Sequence, residues 1–428
     1  MKAVKSNPFI PLRHRSVRLL WGAAVVSDIG TWVQLIVVGS LVAAHTGSAV
    51  QTGLVALATF MPQGISSPVG GLLADRFDRR KVFARALMLQ AFFTAVLAVV
   101  LATGVRSPGV LTVIILLGSA AGSLGAPSYS AMQPDLVPPE ELMAMVSLGV
   151  YSWNGGRIVG PMLGTLLSLT IGAAGTVAFN ALSFVVMAAA VAMLRRPFLP
   201  KTADGNPRTD PTASTVRMQL RDGYRALRTT PGCIHAVVLL VLYNLTAVPF
   251  MGLIPIYTRS EFDGGTGLAG TVASAQGIGA IVGGVVLAML AARRKRSYLV
   301  SRVVVGVSIA LMLYAAANSV AMLVPAAVLL GAMAASMFIC VSSVVQRDAP
   351  PAHRGRVMAI MQACTGVSYG IGLMFIGVLG DLTNLHVAFG IGAVLVLLAF
   401  WGLTIRSPRW REAFDGELAP RDPSLLAA

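Results

Sequence analysis

Two residues carry charge where charge is costly. Asp28 interrupts an apolar run from Val17 to Ala44, and Arg157 interrupts one over residues 143–171. Helices over these runs would place Asp28 roughly 16 Å and Arg157 roughly 21 Å from the ends at which they start, at 1.5 Å per residue. A charge near the centre of a bilayer costs a few kcal/mol even on mild insertion scales, so each needs a partner. Helical spacing gathers Trp21, Asp28, Trp32 and Leu35 on one face, and Trp153, Asn154, Arg157, Gly160, Pro161 and Gly164 on another. The depths overlap, so an intramembrane Asp28–Arg157 ion pair is expected. Burial disfavours an ionised carboxylate, and a nearby guanidinium favours it. Breaking such a pair in one conformation would let Asp28 take up a proton, which is the chemistry of a proton carrier. A static pair holding two helices together is the other reading of the same residues.

Other chemistry is poorly supplied. The histidines are His14, His45, His235, His353 and His386, and none lies deep in a run beside a nucleophile. No phosphate-cradling loop ending in Gly-Lys-Ser or Gly-Lys-Thr occurs, which argues against an ATP-driven pump. Cys233, Cys340 and Cys364 sit in apolar stretches without metal-ligand spacing and read as small core residues. Neither an enzyme, a cofactor nor a metal site is expected.

The elements that must position Asp28 and Arg157 follow from composition. Of 428 residues, 56% are hydrophobic and only 12% charged, with a mean hydropathy of +0.76. Soluble domains carry about 25% charged residues. The apolar runs fall at 17–44, 50–73, 82–104, 109–133, 143–171, 173–194, 233–258, 266–291, 299–317, 320–346, 356–381 and 385–405. Each is long enough for a transmembrane helix. The expected fold class is an all-α membrane protein of twelve transmembrane helices in two six-helix bundles. The bundles are expected over 1–196 and 233–406, joined by a polar linker at 197–232 and followed by a flexible tail at 407–428. Residues 216–230 of the linker read as a short amphipathic surface helix.

The net charge of +16 sorts by side. With both termini inside, Arg106 and Arg259 alone fall in external loops, and all other lysines and arginines except Arg157 lie at the inner side. This is the positive-inside pattern, and it removes nucleic acid as the explanation of the basic charge. The halves also echo each other: Gly70-Gly71 recurs as Gly283-Gly284, and Pro138-Pro139 as Pro350-Pro351, at nearly one offset. A parallel six-plus-six repeat is the architecture of rocking secondary transporters.

At this point the chain resembles the major facilitator superfamily. The segment from Gly71 to Arg80 is similar to that superfamily's signature between spans two and three, with Asp78 where the signature has Gly. Gly156, Gly160, Pro161 and Gly164 resemble the Gly-Pro motif of exporters, although the motif's earlier Gly is Ser147 here. Residues 27–32, residues 46–49, Asn154 with Arg157, and residues 354–357 are similar to the enterobactin-exporter and macrolide-efflux branch. The resemblance implies a cytoplasmic gate at Gly71, Asp75, Arg79 and Arg80, with Asp75 meeting the positive N-terminus of span eleven. It implies a central cavity lined by Trp32, Tyr129, Asn154, Tyr243, Asn244 and Gln346. One departure concerns proton coupling: the Arg often buried in span four is Gly118 here. Gln276, Gly279 and Gly283 form a small-residue stripe on span eight that reads either as a mate for the stripe of span five or as ordinary membrane-helix packing.

The resulting expectation is a multi-pass protein of the bacterial cytoplasmic membrane, acting as a monomer. It would export a hydrophobic or amphipathic small molecule, drug-like or siderophore-like, by proton antiport. Its partners would be that molecule, protons and membrane lipids. An importer or facilitator of the same fold, and a non-transporting lipid or receptor scaffold, are the alternatives.

Overall fold

The computed structural model describes residues 8–194, 216–291, 293–350 and 353–418. In chain order its helices are α1 (Arg15–Thr46), α2 (Ala49–Arg76), α3 (Arg79–Ala102), α4 (Pro108–Met132), α5 (Leu142–Thr170), α6 (Gly172–Ala192), α7 (Val216–Thr229), α8 (Pro231–Thr246), α9 (Ile254–Phe262), α10 (Thr266–Ala291), α11 (Arg296–Ala315), α12 (Val320–Asp348), α13 (Arg354–Leu382), α14 (Leu385–Arg406) and α15 (Trp410–Asp415). Nine of these are long and apolar enough to cross a membrane, or ten if the bent pair α7–α8 counts as one span. The nine exclude α2 and α5, which have 28 and 29 residues but are interrupted by Gln51, Gln63, Asn154 and Arg157. Many large apolar side chains, among them Val99, Leu166, Leu169, Ile278, Val285 and Trp401, remain exposed on these helices. Water would disfavour so much exposed apolar surface, whereas lipid tails would cover it. The protein is a multi-pass, all-helical membrane protein.

The chain breaks where the residues require it. Gly47 and Gly172 take the left-handed φ of +63° and +71° in the turns α1–α2 and α5–α6, where a side chain would be strained. The expected seventh span, 233–258, is not continuous. Pro249 and Pro255 lack the backbone donors a helix needs, and the segment divides into α8, a short turn and α9. The expected surface helix in the linker is present as α7 and turns by 102° into α8. The rest of the linker, 197–215, lies outside the described residues.

By their contacts the residues group into two units, Met1–Val38 with Ile65–Ala213, and Gly39–Gly64 with Ser214–Ala428. In the first unit α3 packs between α4 and α6. Leu20, Phe83, Leu87, Phe184, Met187 and Val191 form its main core, and Val17, Met145 and Leu148 a second. Arg13 and His14 converge on the buried carboxylate of Glu141, pinning the start of α1 to the turn before α5.

In the second unit α10 packs along α12, α11 lies against α12 and α14, and α8 against α12, α13 and α14. The stripe of α10 is filled from within this unit, as in the ordinary helix-packing reading. A Cβ at Gly279 would lie 1.9 Å from the Val328 carbonyl oxygen, and one at Gly283 2.3 Å from that of Ala332. The first half of α2 belongs to this unit as well. Asp381, near the end of α13, accepts from Ser48 Oγ at 2.6 Å and from the backbone amide of Val50 at 3.2 Å, so it caps the N-terminus of α2. Gly377 and Gly64 let the two backbones approach along the same seam.

In residues 407–418, Trp410 and Phe414 are buried and Asp415 accepts from the backbone amide of Ser297 at 2.9 Å. Arg347 donates to the Phe414 carbonyl at 3.0 Å. The remainder, 419–428, lies outside the described residues.

Candidate functional site

The first unit brings most of the expected chemistry onto one helix pair. Asp28 lies near the middle of the 32-residue α1, and Arg157 near the middle of the 29-residue α5. The stripe of α5 is what lets these helices touch. A Cβ at Gly156 would lie 2.9 Å from the Asp28 carbonyl carbon, and one at Gly160 2.6 Å from Trp32 Cβ. One at Gly164 would lie 3.2 Å from Val33 Cα. Pro161 is buried inside the same helix. The exporter-type residues therefore act here as the close-packing surface of α5 against α1.

The Asp28 carboxylate accepts a hydrogen bond from Ser152 Oγ, one turn before Gly156. The Arg157 guanidinium is buried and stands over the Trp32 ring, 5.9 Å from its centroid, and Trp153 packs on that ring at 5.4 Å. Each member of the expected ion pair is thus engaged by a further residue of the α1–α5 seam. Trp21 anchors the seam by donating from Nε1 to the Leu148 carbonyl at 2.8 Å. Tyr129, on α4, is within electrostatic reach of Asp28, and its ring packs on Phe83 at 5.2 Å.

A polar network continues up α1. Asn180 of α6 donates to Gln34 Oε1 at 2.8 Å and accepts from Ser183 Oγ, and Gly30 leaves room for it, since a Cβ there would meet Asn180 Oδ1 at 2.3 Å. Sequence reasoning missed Ser152, Gln34, Asn180 and Ser183. Asn180 and Ser183 are polar residues on one face of an otherwise apolar run, and that spacing was the signal available.

At the α2–α3 turn the residues divide their work. Asp78, where the signature has Gly, caps α3 by accepting from the Arg80 amide at 3.0 Å. Arg79 donates to the carbonyl of Ala131 at 3.0 Å and lies 3.9 Å from Asp135. Arg80 donates to the carbonyl of Leu194, beyond the end of α6. Both arginines therefore place positive charge where helices end in free carbonyls. Asp75 is exposed at the end of α2. The close approach is made by Gly70, whose Cβ would lie 2.4 Å from the Leu124 carbonyl oxygen, whereas Gly71 faces open space. Replacing Asp78 by Ala is expected to cost about 1 kcal/mol of stability, and by Gly only a few tenths. Thermal melts of the two variants in detergent check this, and equal losses would refute the capping role.

The other candidates fall in separate places. Asn154 and Asn244 each donate to a carbonyl one turn back on their own helix, at 2.9 Å and 2.8 Å, which leaves each amide oxygen as an acceptor. Tyr243 is buried beside Asn244 on α8, and Gln346 is exposed on α12. No group of three or more His, Cys, Asp or Glu able to hold a metal ion occurs among the described residues.

The sequence profile described as transmembrane secretion effector matches residues 6–425. The chain belongs to the transmembrane secretion effector family of the major facilitator superfamily. Membership in the transmembrane secretion effectors makes it a transport protein rather than an enzyme. Among relatives of this family, it is 22% identical over 380 residues to macrolide efflux protein A of Streptococcus pyogenes, covering 88% of this chain and 92% of that one. It is 26% identical over 400 residues to the multidrug efflux pump Tap of Mycolicibacterium fortuitum, covering 92% and 96%. The fold is that of a bacterial homologue of the human lysosomal transporter Spinster in an inward-facing, unoccupied conformation. That match has a TM-score of 0.69 at 12% identity and covers 94% of this chain and 97% of that one. A D-xylose–proton symporter matches with a TM-score of 0.67 at 16% identity, covering 90% and 97%.

Proposed function

We propose that this transmembrane secretion effector is a secondary active exporter of the bacterial cytoplasmic membrane. It moves a hydrophobic or amphipathic small molecule outward by alternating access in exchange for inward protons. In this reading α1–α6, the broken α8–α9 and α10–α14 make twelve spans, both termini are cytoplasmic, and one chain is the working unit. The relatives named for macrolide and multidrug efflux support the outward direction and a bulky amphipathic cargo. A siderophore-like chelator is a second cargo class for the same path.

The observation that carries the coupling part is the α1–α5 seam. A carboxylate in mid-helix accepts from one hydroxyl, on the helix pair that also buries the Arg157 guanidinium over Trp32, in an interface lined by glycines. A shift of α5 along α1 that withdrew the Ser152 hydroxyl would change the surroundings of the Asp28 carboxylate between the two states, as a proton-exchanging group requires. One proton entering across 100 mV supplies about 2.3 kcal/mol, enough for roughly a fifty-fold cargo gradient. At the α2–α3 turn, Arg79 and Arg80 fix the helix ends, and Asp75 supplies a gate contact that forms and breaks during the cycle.

Accumulation of a macrolide and a panel of amphipathic drugs and siderophores, in cells with and without the gene, tests this reading. Lower accumulation with the gene, abolished by an uncoupler, is the expected result. Equal accumulation across the panel would overturn it.

A further inference from the structure

One pair of arginines gathers on a single ring with no acid between them. Arg294 and Arg302 both bring their guanidinium carbons over the ring of Tyr298, at 5.5 and 5.2 Å from its centroid. Tyr298 is exposed in the first turn of α11, Arg302 follows it by one turn, and Arg294 lies just before the helix. Among the described residues neither arginine has an acidic partner. The adjacent Lys295 does have a partner. The Glu417 carboxylate takes Lys295 at 3.0 Å and holds its ammonium above the usual lysine range. Arg293 adds a further exposed positive charge beside the pair. Two like charges gathered on one ring repel each other, and the rings alone return about 0.5–1 kcal/mol each at exposed sites. An anion bound between them removes the repulsion.

The surface continuing from this cluster says what kind of anion fits. At helical spacing from Tyr298 and Arg302, the same face of α11 carries Val305, Ile309, Met312 and Leu313, and all four are exposed. The face is thus basic and aromatic for one turn and purely apolar for the next three. A free phosphate would use only the first part. A phospholipid uses both, with its phosphate against planar guanidinium forks and its acyl chain along the aliphatic stripe. Tyrosine at the headgroup level and arginine reaching toward it are the groups that suit this boundary.

We propose that Arg294, Tyr298 and Arg302 form a binding site for the headgroup of an anionic phospholipid, whose acyl chain lies along Val305, Ile309 and Met312. The site lies outside the α1–α5 seam and does not depend on the identity of the cargo.

The test is lipid preference of the purified full-length protein, read by thermal shift and by native mass spectrometry in detergent. The probes are dioleoylphosphatidylglycerol, dioleoylphosphatidylcholine and soluble glycerol phosphate. The wild type should retain and be stabilised by phosphatidylglycerol over phosphatidylcholine, and glycerol phosphate should have no comparable effect. Arg294→Gln with Arg302→Gln should lower that preference by about thirty-fold, at about five-fold per basic residue at a membrane surface. Arg106→Gln with Arg259→Gln removes the same charge from two other places in the chain and should leave the preference within about two-fold. An unchanged preference in the first variant, an equal loss in the second, or equal stabilisation by glycerol phosphate would each overturn the proposal. Melting of both variants in phosphatidylcholine alone should match the wild type. A Gln pair that melts early there would make the cluster a structural element and would equally overturn it.

Discussion

Asp28→Asn abolishes pH-driven cargo accumulation while leaving the protein folded. With one proton exchanged per cargo molecule, each unit of pH gradient sustains about a tenfold cargo ratio in the wild type, because 1.4 kcal/mol is a factor of ten. The amide introduced by this substitution can still accept from Ser152 and fits the same space, so the α1–α5 seam stays packed. It cannot exchange a proton, and the ratio falls to about one. Ser152→Ala removes the hydroxyl that holds the carboxylate but leaves the carboxylate in place. Its ratio should stay near that of the wild type, with an altered dependence of rate on pH. Imposed gradients in inverted vesicles separate these outcomes. A full tenfold ratio in Asp28→Asn would remove Asp28 as the carrier and leave it a structural residue.

Gly160→Val separates α5 from α1. A Cβ at this position already lies 2.6 Å from Trp32 Cβ and 2.9 Å from the Ile29 carbonyl oxygen, and the second of these is backbone that cannot rotate away. Overpacking of this kind costs about 1–3 kcal/mol, and here it also pushes Asp28 away from Ser152. The expected result is an early thermal melt together with loss of transport. Gly155→Ala is the control, five residues earlier on the same helix. Nothing lies within 4 Å of a Cβ there, so the substitution should stabilise the helix by about 0.5–1 kcal/mol. Effects of the same sign at both positions would contradict the packing account of the glycine stripe.

The helical architecture was legible because lipid demands uninterrupted apolar length, and α1, α3, α6, α11, α12, α13 and α14 appear where such length occurs. Asp28 and Arg157 were legible for the opposite reason, since charge in an apolar run stands out by its cost. Their first partners were not. Ser152 is small and common in membrane helices, and nothing in its spacing separates a hydrogen-bond donor from a packing residue. The neighbour of the α10 stripe was left open because periodicity gives the face of a helix but not the neighbour that fills it. Val328 and Ala332 do so from α12. In the tail, prolines and mixed charge read as flexibility, and Trp410 and Phe414, four residues apart, mark an apolar face. At the α2–α3 turn, Asp78 departs from the superfamily signature yet keeps the function of that position, because Asp caps a helix at least as well as Gly.

The central claim is that cargo moves outward at the expense of a proton gradient. The most direct measurement is uptake of a radiolabelled macrolide into inside-out vesicles with an acidic lumen, following lumenal pH in the same samples. The account predicts accumulation that scales with the imposed gradient, proton loss from the lumen coupled to uptake, and collapse of both in Asp28→Asn or on adding an uncoupler. Uptake that only equilibrates the macrolide and ignores the gradient would contradict it.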